Sequence, residues 1–175
     1  MSFRLNEAVE VLESTPGVLK ALFQGKSPEW SNCRLEPQSF SPIDVLGHLI
    51  YGEIDDWIPR ARIILECGQS RPFDAFDRRG FVPLIEGKSA EQLLDWFAEL
   101  RRQSLDALAG FALDERRLDL TGMHPDVNLG VVTMRNLIAT WTVHDLGHIA
   151  QIARVMAGRY KEAVGPWRQY LSIVQ

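Results

Sequence analysis

The chain has 175 residues, of which 46% are hydrophobic and 24% charged, and its formal net charge is -4. This length predicts a single domain over residues 1–175, and the balance of apolar and charged residues excludes a disordered chain. The negative charge argues against a nucleic-acid partner, because phosphate neutralisation needs clustered Lys and Arg.

The two cysteines, Cys33 and Cys67, are too few for a disulfide framework, which indicates an intracellular protein. The N-terminal segment is charged and amphipathic, unlike the apolar core of a signal peptide. No segment approaches the ~18 apolar residues of a membrane span. We therefore expect a soluble, cytoplasmic protein with no membrane partner.

Apolar residues at helical spacing predict a first helix over residues 2–24. The Pro16–Gly17 pair inside this pattern should kink or break the helix, because proline lacks the backbone N–H that the helix needs.

A second helix is predicted over residues 42–67. Ser41 is a favourable N-cap, Pro42 fits the first helical position, and Asp44 complements the positive end of the helix. Pro59 should bend this helix near its middle, and Gly68 is suited to closing it.

A long polar and aromatic connection then leads to a third helix over residues 90–109, capped by Ser89. After a second connection with short extended pieces, Thr133 caps a fourth helix over residues 133–157. The last eleven residues predict a short helix that packs back on the others. Together these elements predict an all-α fold, an up-down four-helix bundle with a short extra C-terminal helix.

Three of the four histidines lie on predicted helices and face inward. His144 and His148 are four residues apart, so they share one helix face and can reach one metal ion. His48 lies among apolar residues of the second helix and is the natural third ligand, as in bundle sites built from facing helices. Three core histidines hydrogen-bonded to carboxylates or carbonyls are the alternative interpretation. As metal ligands they must be neutral, so binding should weaken near their usual pKa of ~6.5.

The segment "HDLGH" differs from the metalloprotease motif H-E-x-x-H, since Asp145 stands where that motif has its general base. A metalloprotease is therefore not expected. The fourth histidine, His124, lies in a loop rich in Pro and Gly. It is either a surface residue or one that reaches the mouth of the site.

Three segments that together cover nearly the whole chain resemble the DinB/YfiT-like superfamily of metal-binding four-helix bundles. They are "STPGVLKALF", "SPIDVLGHLIYGEIDDWIPRARIIL" and "LGVVTMRNLIATWTVHDLGHIAQIARVM". The resemblance implies metal-ligand roles for His48, His144 and His148, a divalent ion (commonly zinc or nickel), and a homodimer. Relatives include transferases and isomerases that use a low-molecular-weight thiol, and others described as metal-dependent hydrolases.

The leading hypothesis is a metal-dependent enzyme acting on a small molecule, either a hydrolase or a thiol transferase with a thiol cosubstrate. Asp44, Asp55 and Tyr51 are candidate acid–base residues on the His48 side of the second helix, although Asp44 is equally a helix-start charge. Glu53 is turned away from His48 and is expected to support a histidine or an arginine. The alternatives are a non-catalytic metal- or ligand-binding bundle and a bundle without metal.

Five tryptophans are many for this length, and aromatic residues are enriched at protein interfaces. They favour a homodimer, although core packing explains several of them equally well.

Overall fold

Four long helical segments dominate the computed structural model, which describes residues 2–175. The second of them is interrupted, and three short α-helices, one 3₁₀ turn (Gly68–Ser70) and one β-hairpin lie in the connections. The long segments are α1 (Leu5–Phe23), α3 (Pro42–Asp55) followed by α4 (Trp57–Cys67), α6 (Ala90–Gly110) and α8 (Met134–Gly158). The short elements are α2 (Pro28–Asn32), α5 (Val82–Ile85), α7 (Glu115–Leu118), β1 (Thr121–Met123) and β2 (Val131–Thr133).

The predicted helix ends are confirmed. Ser41, Ser89 and Thr133 each accept a hydrogen bond from the backbone N–H three residues on, and the side chain found there returns a bond to the cap. These reciprocal bonds satisfy backbone groups that a helix start leaves without a partner. Gly68 follows α4 with φ of +56°, a conformation that favours glycine.

The predicted bend in the second helix is confirmed and lies at Asp56, three residues before Pro59. Pro59 cannot donate a hydrogen bond to the carbonyl of Asp55, and its ring crowds that carbonyl. The helix therefore stops at Asp55 and restarts at Trp57.

Pro16 does not break the first helix, since α1 runs without interruption from Leu5 to Phe23, so the predicted break was wrong. Pro16 leaves the carbonyl of Leu12 without its helical N–H donor. The buried Arg101 of α6 donates to that carbonyl instead, with an Nη1–O distance of 2.9 Å. A tertiary hydrogen bond thus replaces the missing helical one.

Two hydrophobic clusters divide the core along the bundle. One joins the first half of α1 and of α8 to α4 and the end of α6. The other joins the second half of α1 and of α8 to α3 and the start of α6. The helix directions are therefore up, down, down and up in chain order, and α1 and α3 each pack against α6 and α8.

The all-α four-helix bundle is confirmed, but its second and third helices run parallel and do not alternate in direction. The connection over residues 68–89 therefore travels the length of the bundle. The hairpin β1–β2 provides the predicted extended pieces. Two 3₁₀ turns, Gly165–Tyr170 and Ser172–Val174, form the C-terminal segment, which packs back through the buried Val174. Within residues 2–175, no helix is long and apolar enough to cross a membrane.

Candidate metal centre

Three histidines from two helices meet inside the bundle. His48 lies on α3, and His144 and His148 lie one turn apart on α8. The Nε2 atom of His144 is 3.2 Å from Nε2 of His48 and 3.0 Å from Nε2 of His148. One ligand atom from each ring lies within 4.8 Å of the other two. The structure thus brings together the three histidines that the sequence predicted as ligands.

The separation of these nitrogen atoms suits a shared divalent ion. Nitrogen ligands at 2.0–2.1 Å in tetrahedral geometry lie about 3.3 Å apart, close to the two shortest separations found here. Gln151 Oε1 is 2.8 Å from Nδ1 of His148 and can only accept, so Nδ1 carries the proton. In the neutral ring, Nε2 of His148 therefore points a lone pair into the cluster.

Burial keeps the three rings neutral, which is the form that binds a metal. It lowers the pKa of His48 to about 4, with a further contribution from the charge of His148. It lowers the pKa of His144 to about 3, again helped by His148, and it also lowers the pKa of His148 itself. The pH at which these rings become charged is therefore lower than the ~6.5 expected for free histidine.

Aromatic side chains enclose the cluster. The ring of Trp57 meets His144 edge-on with centroids 5.1 Å apart, and Phe76 meets His48 in the same way at 5.5 Å. The Nδ1 atoms of His48 and His144 are buried and have no hydrogen-bond partner among residues 2–175. Within residues 2–175 their Nε2 atoms lie within hydrogen-bond distance only of one another and of His148, and not of the carboxylates or carbonyls that the interpretation as ordinary core histidines requires.

The cluster lies on the wall of a cavity of about 930 Å³, a volume typical of a small-molecule site. Its polar lining includes Arg60, Arg78 and Thr140, the last one turn before His144 on α8. The apolar lining is mainly aromatic and aliphatic. It consists of Trp57, Phe73, Ala75, Phe76, Pro125, Leu129, Val132 and Leu137.

His124 lines the same cavity but lies outside the three-histidine cluster. Its Nδ1 accepts a hydrogen bond from the backbone N–H of Asp126 at 3.0 Å, and its ring meets Phe73 edge-on. The structure therefore supports the interpretation that this loop histidine reaches the mouth of the site.

Asp56 is a cavity residue that the sequence did not indicate. Burial raises the pKa of this carboxyl to about 6, although the charge of Arg60 lowers it. The Arg60 Nε lies 2.6 Å from Asp56 Oδ1, so the two side chains form an ion pair. The position depends on the helix interruption before Pro59, which is the one sequence signal that could have located it.

The three acid–base candidates from the sequence lie away from the cavity lining. Asp44 caps α3 by accepting hydrogen bonds from the backbone and hydroxyl of Ser41, and it pairs with Arg34 at 2.7 Å. The Tyr51 hydroxyl donates to Asp55 at 3.0 Å on the outer side of α3. The helix-start role of Asp44 is confirmed, and catalytic roles for these residues stay predictions.

A buried ion-pair network lies beside the histidines. Arg101 donates to Glu53 Oε1 at 2.8 Å and to Asp145 Oδ2 at 2.6 Å, and all three side chains are almost fully buried. The prediction that Glu53 supports an arginine is confirmed. Asp145 points to Arg101, so it does not act as the general base of a metalloprotease.

The fold and the histidine cluster together define a four-helix bundle with a candidate metal centre in its interior. A family comparison agrees with this class, because residues 12–152 match the sequence model of the DinB superfamily. The chain therefore belongs to the DinB superfamily, and the resemblance noted in its sequence is confirmed.

Among solved structures, the chain is similar to YfiT from Bacillus subtilis, described as "a probable metal-dependent hydrolase with an unusual four-helix bundle topology". The TM-score is 0.73 and the identity 20%, over 90% of this chain and 89% of YfiT. At this identity the likeness establishes the shared fold. No match was found among the curated proteins.

Proposed function

We propose that the protein is a metal-dependent enzyme that acts on a small molecule. His48, His144 and His148 would hold a divalent ion, zinc or nickel, through their Nε2 atoms. The observation that carries this proposal is the convergence of three neutral imidazoles on the wall of an open cavity. Three protein ligands with one open position are typical of catalytic zinc sites, whereas structural sites are closed by four.

Three neutral ligands leave the full positive charge on the ion, which when bound can polarise a substrate carbonyl or lower the pKa of a water or thiol. The protein would supply orientation and shielding from water. Trp57 and Phe76 cover the cluster, and the aromatic wall of the cavity offers contact area to an apolar part of the substrate.

Arg78 would bind an anionic group of the substrate. It lines the cavity and has no ion-pair partner among residues 2–175, whereas Arg60 is already paired with Asp56. Its charge contributes to lowering the pKa of all three histidines, so it lies within electrostatic reach of the centre.

Asp56 would exchange protons with the substrate. A carboxyl with a pKa of about 6 can both give and take a proton near neutral pH, as general acid–base catalysis requires. This residue favours an enzyme over the alternative of a non-catalytic metal- or ligand-binding bundle, which has no need of a titrating group in its cavity.

Hydrolysis is the leading reaction, in line with the description of YfiT as a probable metal-dependent hydrolase. Transfer of a low-molecular-weight thiol is the second candidate. It is favoured by the cavity volume of about 930 Å³, near the upper end for small-molecule sites, because two molecules must then be held together.

The test is a panel of esters and amides, and of electrophiles offered with glutathione, bacillithiol or mycothiol, assayed with zinc- and nickel-loaded protein. Asp56→Asn should lower turnover by about 10²- to 10⁴-fold, the usual contribution of general acid–base catalysis. Asp55→Asn is the matched comparison on the neighbouring residue. A loss of turnover in Asp55→Asn but not in Asp56→Asn would favour Asp55 as the acid–base residue. Tight metal binding without any turnover in the wild type would favour the non-catalytic alternative.

A further inference from the structure

Arg101 lies on α6, which carries none of the three histidines, and it connects α6 to the three other long segments of the bundle. Its guanidinium donates to Glu53 on α3, to Asp145 on α8 and to the carbonyl of Leu12 on α1. It also lies between the rings of Phe97 and Trp141, 5.0 Å from each centroid. Arg101 itself is 1% exposed.

We infer that Arg101 is a positioning residue for the three-histidine centre, which holds α3 and α8 in the one register that brings His48 and His144 together. This inference rests on the proposed function. The two carboxylates that Arg101 binds lie close to the candidate ligands in sequence, since Glu53 is five residues after His48 and Asp145 directly follows His144.

The geometry of a guanidinium suits this role. Its N–H groups form a rigid planar fork, so two carboxylates on different helices can both be bound only over a narrow range of axial offsets. A slip of one residue moves a helix by 1.5 Å and turns its side chains by about 100°. A metal site tolerates errors of only about 0.2 Å in ligand distance. The positions of α3 and α8 along their axes therefore have to be fixed to much less than the 1.5 Å that separates successive residues.

Aromatic contacts extend the network to the centre. Trp141 donates from Nε1 to Glu53 Oε1 at 3.2 Å, and its ring stacks on Trp57 with centroids 5.7 Å apart. Trp57 in turn meets the ring of His144. The network thus contacts the imidazole of His144 through Trp57, in addition to fixing the position of α8.

Stability alone does not explain a buried arginine between two carboxylates. Taking such charges out of water costs about as much as their attraction returns, and well-packed apolar replacements are often as stable. A network that adds little net stability yet fixes the ligand-bearing helices is what a positioning role requires.

The test separates position from stability with two variants. Arg101→Lys keeps the positive charge but removes the planar fork. A neutral-network variant combines Glu53→Gln, Arg101→Met and Asp145→Asn, so that no buried charge is left unpaired. It also carries Pro16→Ala, whose backbone N–H can serve the carbonyl of Leu12.

Co²⁺ is the probe, because its visible spectrum reports ligand geometry, and denaturant unfolding of the metal-free proteins reports stability. The neutral-network variant should unfold near the wild-type midpoint yet bind Co²⁺ about 10- to 100-fold more weakly, the usual effect of losing an outer-shell partner. Arg101→Lys should also bind more weakly, with an altered spectrum. Arg102→Met is the control on the next, exposed residue and should leave both measurements unchanged.

A neutral-network variant with the wild-type affinity and spectrum would overturn the inference. Crystal structures of the metal-free wild type and of the metal-free neutral-network variant provide a second, independent measurement. We expect the Nε2 atoms of His48 and His144 to lie farther apart in the neutral-network variant than in the wild type. An unchanged distance between these two atoms would also overturn the inference. Failure of the wild type to bind Co²⁺ would instead contradict the proposed function, and the crystal structures would still decide the role of Arg101.

Discussion

Asp56 is a carboxyl of the cavity that changes its charge near neutral pH. Asp56 is 8% exposed, and burial raises the pKa of its carboxyl from 3.8 to about 6. The folded protein therefore holds this proton more tightly than the unfolded chain does. The resulting stabilisation is present below pH 3.8 and is lost as the pH rises to about 6.

We expect Asp56→Asn to remove this pH dependence. The wild type should lose about 1 kcal/mol of unfolding free energy between pH 5 and 7.5 through Asp56, because from pH 5 to about 6 the unfolded chain is ionised at this position while the folded carboxyl still holds its proton. The variant should not show this loss. Parallel urea titrations at both pH values give the comparison. The lowered pKa values of the histidines raise stability over this interval in both proteins, so the difference between the proteins is what counts, and equal changes in the two would contradict the raised pKa of Asp56.

At the level of single residues, the sequence predicted His144 and His148 from their four-residue spacing and His48 from its apolar neighbours on another helix. Glu53 was likewise assigned to supporting an arginine from its angle on the helix. Asp56 and Arg101 could not be found in this way. The environment of Asp56 is made by a helix interruption, and that of Arg101 by partners 44, 48 and 89 residues away along the chain.

Among the helices, α3 packs unusually closely against the crossing connection beside His48. A Cβ atom at Gly47 would lie 2.6 Å from Ile85 and 2.8 Å from Phe81, too close for ordinary contact. Gly147 on α8, next to His148, has no atom within 4 Å of the same position. These two glycines lie in helices beside metal-ligand candidates but differ in their surroundings.

We expect the two alanine substitutions to have opposite effects on the unfolding free energy. Gly147→Ala should raise it by about 0.5–1 kcal/mol, because alanine favours a helix over glycine. Gly47→Ala gains the same propensity but should lower stability by about 1–2 kcal/mol net, since overpacking typically costs 1–3 kcal/mol. Denaturant unfolding checks both. An increase in the unfolding free energy of Gly47→Ala would contradict this expectation and would mean that Phe81 and Ile85 can move aside at little cost.

The two prolines inside the predicted helices illustrate the limit of local rules. Pro59 interrupts its helix as expected, whereas Pro16 does not, because Arg101 serves the carbonyl that Pro16 leaves free. In both cases the sequence shows that a backbone N–H donor is missing, because proline has none. The replacement donor at Leu12 comes from another helix and is visible only after folding.

For the molecule as a whole, the parallel second and third helices have a functional consequence. The connection between them passes along the bundle and brings Phe76 and Arg78 to the cavity. The sequence predicted the four helices and the long connection but not its path, since helix periodicity carries no information about direction. The residues that cover the centre were therefore missed, while those that form it were found.

Homodimer formation stays a prediction at this scale. Trp57 and Trp141 are buried in the core, so they no longer count as interface candidates. Trp167 and Tyr170 in the C-terminal segment are 71% and 77% exposed and are the aromatic residues best placed for a partner. Light scattering at micromolar concentration should give twice the mass of the chain, and Trp167→Ser should favour the monomer. A wild-type monomer would contradict the prediction.

Metal content is the measurement that tests the central claim most directly. Protein purified without a nickel column should carry one divalent ion per chain by elemental analysis. His48→Ala should lose most of it and bind Zn²⁺ more than about 100-fold more weakly, because a ligand is worth more than an outer-shell partner. His124→Ala, on the same cavity but outside the cluster, should keep its metal. Full and tight occupancy in His48→Ala would contradict the three-histidine centre.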